Sequence, residues 1–93
     1  MKATWRDRVI AESDEARAVD GYFYFPRDAV RMEWLHATPK SASDSRCAHG
    51  VQFYDLDDGS ARSERAAWSY EAPRDAMKHV DRWIGFWGDV AID

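Results

Sequence analysis

The sequence predicts a small domain that is mainly antiparallel β, built as an open barrel or a pair of packed sheets, with one amphipathic α-helix in its C-terminal half. Three observations predict this fold class. Residues 22–25 are four consecutive aromatics, and residues 66–70 place aromatics at alternate positions, as strands do. Pro73 then opens a segment whose apolar residues recur at helical spacing. The chain of 93 residues corresponds to one domain, residues 1–93.

The composition narrows the classes of partner and the cellular compartment. The formal net charge is −4 and both signs are interspersed, so neither a nucleic acid nor an anionic membrane is the expected partner. The single cysteine, Cys47, cannot form an intramolecular disulfide, which suits a reducing cytosol. Residues 1–8 contain no apolar stretch of signal-peptide length, so we expect a cytoplasmic protein. No motif indicates a cofactor, and the oligomeric state is left open.

The N-terminal third predicts a hairpin followed by an aromatic strand. Short β-compatible runs lie on both sides of the polar residues 6–8, which predicts a turn there without the favoured Asn-Gly or Asp-Gly pair. Residues 14–17 are charged and predict a loop. In the strand at residues 22–25, the tyrosines lie on one face and the phenylalanines on the other. We expect the phenylalanine face to be the core face, because tyrosine tolerates a half-wet surface, and Pro26 to end the strand.

The central part of the chain predicts a loop and a second hairpin. Residues 27–35 predict a helical turn that passes into a strand, although neither periodicity is clean. Residues 36–46 are rich in Ser, Thr, Lys and Pro and predict a long exposed loop. A strand at residues 51–56 then leads through a turn at residues 57–59 to a return strand at residues 65–70.

The C-terminal part predicts the helix and a last strand. Pro73 fits the first helical position, where its missing N–H costs nothing. Gly85 is predicted to mark the end of the helix, and residues 86–87 and 90–92 to form the last strand, with a turn at residues 88–89. The apolar positions that give the helical spacing are Ala76, Met77, Val80, Trp83 and Ile84.

Several motifs together resemble those of the domain of unknown function 427 family over essentially the whole chain. The most specific are Tyr-Phe-Pro at residues 24–26 and Ala-Ala-Trp-x-Tyr at residues 66–70, and they occur with Cys47, Gly50 and Pro73 in the family's order. The resemblance implies a small domain of bacterial or fungal type, mostly β with one helix, similar to an open, tent-like barrel. The family has also carried a nucleotidyltransferase label.

One stretch departs from the family's pattern. The family usually shows Cys-Pro-aromatic-Lys-Gly before the central strand, whereas residues 47–50 are Cys-Ala-His-Gly, shorter by one residue and without the lysine. A role for that lysine in binding phosphate or carboxylate therefore does not carry over. His49 would replace it in part, as a cation below about pH 6.5.

The candidate ligand site combines aromatic faces with cations. Rings and an arginine fork suit a planar or anionic small molecule, through stacking and paired hydrogen bonds. The alternative is that the rings simply fill the interior of a barrel. We expect the ligand between the end of the strand at residues 22–25 and the loop at residues 47–50. The predicted ligand-binding residues are Tyr24, Arg31, Cys47, His49, Trp68 and Tyr70.

Catalytic and metal sites have weaker support in the sequence. Cys47 and His49 lie two residues apart and could form a thiolate–imidazolium pair, but no third, orienting group is evident, and Cys47 could equally be a small hydrophobe. The spacing of His36 to this pair matches no zinc pattern. Asp55 and Asp57 share a face, as metal-binding carboxylates do, yet a strand end running into a turn explains them more simply.

The sequence therefore favours a small-molecule binding domain, with two alternatives left open. One is an enzyme that acts on nucleotides or uses Cys47 and His49. The other is a protein-interaction module without chemistry.

Overall fold

The structure is a computed structural model that describes all residues Met1–Asp93, and it confirms the mainly antiparallel β fold class. Nine strands form two sheets. The small sheet has the order β2-β1-β9, and the large sheet has the order β3-β4-β8-β7-β6-β5. The strands are β1 Lys2–Trp5, β2 Arg8–Glu12, β3 Arg17–Val19, β4 Tyr22–Phe25, β5 Leu35–Ala37, β6 Val51–Asp57, β7 Arg62–Tyr70, β8 Ile84–Phe86 and β9 Ala91–Ile92.

The opening hairpin is confirmed, and its turn has the twist that two-residue hairpins require. Strand β1 pairs antiparallel with β2, and Arg6 and Asp7 between them have φ angles of 52° and 64°. Positive φ at both central residues is the signature of a type I′ turn, which matches the right-handed twist of the strands. Aspartate tolerates this conformation better than most residues, so the turn forms without glycine.

The main hydrophobic core draws side chains from both sheets, while a second cluster covers the other face of the large sheet. The main core includes Ala3, Trp5, Ile10, Phe25, Leu56, Ile84 and Phe86. The second cluster consists of Tyr24, Val51, Trp68, Met77 and Val80. The large sheet is therefore apolar on both faces near its centre, and an exposed tyrosine face is not possible there.

The phenylalanine face of β4 is a core face, as predicted, but the expectation of a half-wet tyrosine face was wrong at Tyr24. Phe25 is 0% exposed in the main core, but Tyr24 is also only 2% exposed in the second cluster. Only Tyr22, at the start of the strand, remains exposed. The reason is that Met77 and Val80 cover the tyrosine side, which the strand's own alternation could not indicate.

The predicted α-helix from Pro73 and its end at Gly85 were also wrong. The helical element is a short 3-10 helix, Asp75–Val80, and Arg82 has a φ of 63°, which no right-handed helix can contain. Met77 and Val80 are three residues apart, which matches the three residues per turn of a 3-10 helix. The helical spacing broke down because Ile84 belongs to strand β8 and packs in the main core.

Gly85 lies in the middle of the large sheet rather than at a helix end. It pairs with Tyr24 on β4 and with Trp68 on β7. A Cβ atom at Gly85 would lie 2.7 Å from Cζ2 of Trp68, and 3.1 Å from Cε2 of Tyr24. Glycine is required here because the Trp68 ring lies directly against the backbone of β8.

The segment before the central hairpin is more ordered than a loop. Two 3-10 turns, Arg27–Ala29 and Met32–Trp34, lead into β5, as predicted for residues 27–35. The predicted loop at residues 36–46 was wrong in part, because it contains the one-turn helix α1, Ala42–Ser45. Ser41 and Asp44 form a reciprocal capping box, with each side chain accepting the other's backbone N–H. The central hairpin is confirmed, but its return strand begins at Arg62, earlier than predicted.

None of the helices has the length and apolar character needed to cross a membrane.

Candidate functional site

The structure joins most of the predicted ligand-binding rings into one continuous cluster. The Tyr24 ring lies 5.8 Å from that of Trp68 and 6.1 Å from that of Tyr70, measured between centroids. The ring of His49 lies 5.1 Å from that of Tyr70. We call these four residues the ring cluster. It runs from the centre of the large sheet to the end of β7, as the shared face of Trp68 and Tyr70 requires.

Only one end of the ring cluster is open to a ligand. Trp68 is 4% exposed and Tyr24 is even more buried, whereas Tyr70 and His49 are half-buried. Burial raises the pKa of the Tyr24 hydroxyl well above its ordinary value of 10, with the neighbouring Tyr70 hydroxyl adding to the effect. Tyr24 therefore stays neutral and acts as support, while Tyr70 and His49 present the accessible surface.

Backbone hydrogen bonds hold the His49 turn against the end of β7. The N–H of Ala72 donates to the carbonyl of His49 at 3.0 Å, and that of Glu71 donates to the carbonyl of Gly50 at 3.1 Å. Gly50 has a φ of 66° and a Cβ atom there would lie 3.4 Å from Ala72. Glycine thus satisfies both the left-handed backbone and the close approach of the two segments.

The imidazole of His49 is oriented by the next loop. Its Nδ1 accepts the backbone N–H of Arg74 at 2.8 Å. In the neutral ring the proton must then be on Nε2, which leaves Nε2–H as a donor. A doubly protonated His49 would have to give up the bond to Arg74. The Arg74 guanidinium is exposed beside it, with Nε 3.4 Å from the Ala48 carbonyl.

Cys47 is close in sequence to His49 but is used differently. It is half-buried and packs against the second cluster. No hydrogen bond joins its Sγ to His49, whose partners are Tyr70 and Arg74. The thiolate–imidazolium pair considered from the sequence is therefore not formed in this structure.

Arg31 makes its contacts outside the ring cluster. Its guanidinium lies 3.7 Å from the Glu33 carboxylate and 5.0 Å from the centre of the Trp34 ring. It lines an open, shallow cavity of about 280 Å³ together with Ala29 and strand β2. The structure thus places Arg31 in a different environment from the other predicted ligand-binding residues.

Sequence reasoning missed a polar network built around Arg27. Arg27 Nη2 donates to the Tyr54 hydroxyl at 2.9 Å, and Arg27 Nη1 lies 3.2 Å from the Glu71 carboxylate. Ser69 Oγ is hydrogen-bonded to Tyr54 at 3.0 Å and also donates to Glu71. Ser69 is fully buried within a strand of apolar neighbours. A buried hydroxyl needs a hydrogen-bond partner, so a serine among apolar residues was the one sign of this network in the sequence.

The two aspartates of the central hairpin stabilise the hairpin through hydrogen bonds. The Asp55 carboxylate accepts from the Arg62 guanidinium and from the backbone N–H of Arg65. Burial alone would raise the pKa of Asp55, but these hydrogen bonds outweigh it and hold that pKa below its usual range. Asp57 accepts the N–H of Gly59 at 2.8 Å within the turn. Both carboxylates are therefore occupied by donors of the hairpin itself.

A model of the Domain of unknown function (DUF427) family matches residues 1–93 of the chain. The chain belongs to the DUF427 family. This confirms the resemblance that its motifs suggested. No curated protein matches the sequence.

The two most specific motifs of this DUF427 chain meet in the structure. The Tyr-Phe-Pro motif ends β4 and the Ala-Ala-Trp-x-Tyr motif ends β7, with β8 between the two strands. Tyr24 comes from the first motif, and Trp68 and Tyr70 come from the second. The absence of a side chain at Gly85 on β8 lets the rings of Tyr24 and Trp68 meet. The motifs therefore encode three of the four residues of the ring cluster, all except His49.

We expect the purified protein to contain no stoichiometric zinc. A structural zinc site needs four ligands, and no group of three or more His, Cys, Asp or Glu side chains is brought together. Elemental analysis of protein purified without a metal-affinity tag is the measurement, with Cys47→Ser as the matched variant. A content close to one zinc per chain that is lost in Cys47→Ser would contradict this expectation.

The ion pair between Asp44 and Arg65 should make the free energy of unfolding depend on pH in the acidic range. The hydrogen bonds from Arg65 and Ser41 lower the pKa of Asp44 from its model-compound value of 3.8 to about 2. The stabilisation from this ion pair is complete above the pKa that Asp44 has in the unfolded chain. It is lost as the pH falls through the pKa that Asp44 has in the folded protein. We therefore expect Asp44→Asn to lower the urea midpoint at neutral pH, and the difference from wild type to shrink towards pH 2. Asp14→Asn, in an exposed loop, is the control that should show neither effect.

Proposed function

We propose that this DUF427 domain binds a small ligand carrying both a planar and an anionic group, at the rim formed by Tyr70, His49 and Arg74. The observation that carries the proposal is the arrangement at His49. Its ring packs on Tyr70, its Nδ1 is held by Arg74, and its Nε2–H is left as a donor beside an exposed guanidinium. A stacking face and two donors for an anion thus lie side by side.

The planar part of the proposal rests on the rigidity of the rings. Tyr70 is backed by the buried rings of Tyr24 and Trp68, so it offers a face that does not need to be ordered on binding. A preorganised face binds more tightly because less conformational entropy is lost. Offset or edge-to-face contacts between aromatic groups contribute about 0.5–1.5 kcal/mol beyond the area they bury.

The anionic part rests on the charges at this end of the large sheet. Although the chain has a net charge of −4, guanidinium groups of Arg27, Arg74 and Arg82 gather around the end of β7. Glu71 is the carboxylate in contact with Arg27 and Arg82, and Asp75 is paired with Lys78. The local field therefore favours a small anion, while the overall charge disfavours a polyanion such as a nucleic acid.

A second candidate function is a protein-interaction module, and one observation favours it. Tyr22 and Trp87 are 40% and 42% exposed, and their rings lie 6.3 Å apart on the outer face of the large sheet. Exposed aromatics that touch one another are common at protein interfaces. Catalysis by Cys47 and His49 has no such support. We further propose a cytoplasmic location, which the single free thiol of Cys47 supports.

We expect adenosine monophosphate and benzoate to shift the backbone amide signals of residues 48–50 and 70–74. Their non-planar counterparts, ribose 5-phosphate and cyclohexanecarboxylate, should bind more weakly, because they cannot stack on Tyr70. The measurement is a titration followed by ¹H–¹⁵N NMR on wild type and on Tyr70→Leu and His49→Ala. Both variants should weaken binding, whereas Tyr22→Leu, an exposed tyrosine elsewhere in the sheet, should leave it unchanged. Shifts confined to the hairpin tip at residues 57–62 would contradict the proposal.

A further inference from the structure

The carboxylate of Glu71 lies in a set of donors that looks like the binding site of an anion. Its Oε2 accepts from the Ser69 hydroxyl and lies 3.2 Å from Arg27 Nη1. Its Oε1 lies 3.8 Å from Arg82 Nη1. Two guanidinium groups and a hydroxyl therefore surround one carboxylate, which is the donor chemistry that proteins use to recognise carboxylate ligands.

Two of the three donors, Arg27 and Ser69, are held in place by groups other than Glu71. Arg27 donates to the Tyr54 hydroxyl at 2.9 Å and to the Arg82 carbonyl at 2.8 Å. The Ser69 hydroxyl is hydrogen-bonded to Tyr54 at 3.0 Å, and Ser69 and Tyr54 are both buried. The arrangement of Arg27 and Ser69 would therefore persist if the Glu71 side chain moved out, and both groups could then donate to an external carboxylate.

Glu71 itself is well placed to leave. It lies one residue beyond the end of β7, in a bend, and its side chain is 31% exposed. Its backbone is fixed by the hydrogen bond from its N–H to the Gly50 carbonyl. A rotation of the side chain alone would thus clear the site without breaking a strand.

We propose that Arg27, Ser69 and Arg82 form a binding site for the carboxylate of an external ligand, and that Glu71 is a built-in competitor that occupies the site in the free protein. Ser69 and Tyr70 point to opposite faces of β7, so this site is separate from the rim of Tyr70 and His49 and does not rest on the function proposed for it. A tethered carboxylate competes at a high effective concentration, so removing it exposes the site.

The test is a titration of Glu71→Ala with sodium acetate at constant ionic strength, followed by NMR. We expect saturable shifts at the amides of Ser69 and Arg82, and an apparent affinity at least about tenfold higher than that of wild type. Acetate should also raise the melting temperature of Glu71→Ala more than that of wild type, because it restores the missing partner of the donors. Glu64→Ala removes the same charge from an exposed position on β7 and should behave like wild type.

Further variants make each outcome decisive. Glu71→Gln removes the charge but keeps an acceptor oxygen, so it carries the test if Glu71→Ala does not fold. Adding Arg27→Met to either variant should abolish acetate binding. The proposal is overturned if neither Glu71 variant shows saturable shifts, if wild type binds acetate equally well, or if Glu64→Ala gains the same binding. Inorganic phosphate is the second probe, and saturable binding of phosphate without acetate would overturn the carboxylate assignment.

Discussion

Trp68→Ala is expected to lower the free energy of unfolding by about 3–5 kcal/mol, the largest loss of any single substitution considered for this chain. Trp68 is 4% exposed and touches the rings of Tyr24, Tyr22 and Phe53. Truncation would remove a large buried apolar surface and leave a cavity against Gly85, which cannot fill it. Because small domains have total stabilities of about 5–15 kcal/mol, much of the native state would be lost.

Urea unfolding followed by circular dichroism measures this loss, and Trp87→Ala is the matched control. Trp87 is in ring contact with Trp68 but is 42% exposed, so its truncation should cost much less. If Trp68→Ala unfolds at nearly the wild-type midpoint, the second cluster does not stabilise the large sheet as described.

Gly85→Ala is expected to cost about 1–3 kcal/mol, although alanine suits a strand better than glycine does. The added Cβ would lie 2.7 Å from Cζ2 and 2.8 Å from Cε2 of Trp68, inside any normal contact distance. The ring is held between β4 and β7 and cannot move away without losing its own packing. The other four glycines have positive φ angles, and a substitution there would be strained by the backbone instead.

A double-mutant cycle separates steric overlap from other causes. In a Trp68→Leu background the ring is absent, so Gly85→Ala should cost clearly less than in wild type. Both melting temperature and urea midpoint report the coupling. If the two substitutions are additive, the requirement for glycine does not come from Trp68.

The strands could be predicted because local patterns determine them. The consecutive aromatics of β4, the alternating aromatics of β7 and the turn between β6 and β7 are properties of a few neighbouring residues. Strand β8 was predicted only at its last residue, Phe86, for the opposite reason. It is three residues long, contains a central glycine, and exists because it pairs with β4 and β7 on both sides. Val80 and Ile84 are four residues apart, as on one face of a helix, but they pack on opposite faces of the sheet.

The residues of the candidate site also fall into those that a local pattern predicts and those that it does not. Tyr24, Trp68 and Tyr70 could be predicted, because alternation along two aromatic strands already places them on shared faces. Arg27 could not, since its partners Tyr54 and Glu71 are 27 and 44 residues away in sequence. Arg31, four residues later, is the arginine that the sequence predicted for the site. Only the path of the 3-10 turns, which brings Arg27 to the end of β7 and Arg31 beside β2, distinguishes them.

The ligand rim is tested most directly by intermolecular nuclear Overhauser effects between benzoate and the protein. We expect contacts from the benzoate ring protons to the side-chain ring protons of Tyr70 and His49 in the wild-type protein, and the loss of these contacts in Tyr70→Leu. Contacts to the exposed rings of Tyr22 and Trp87 instead, with none to Tyr70 or His49, would contradict it.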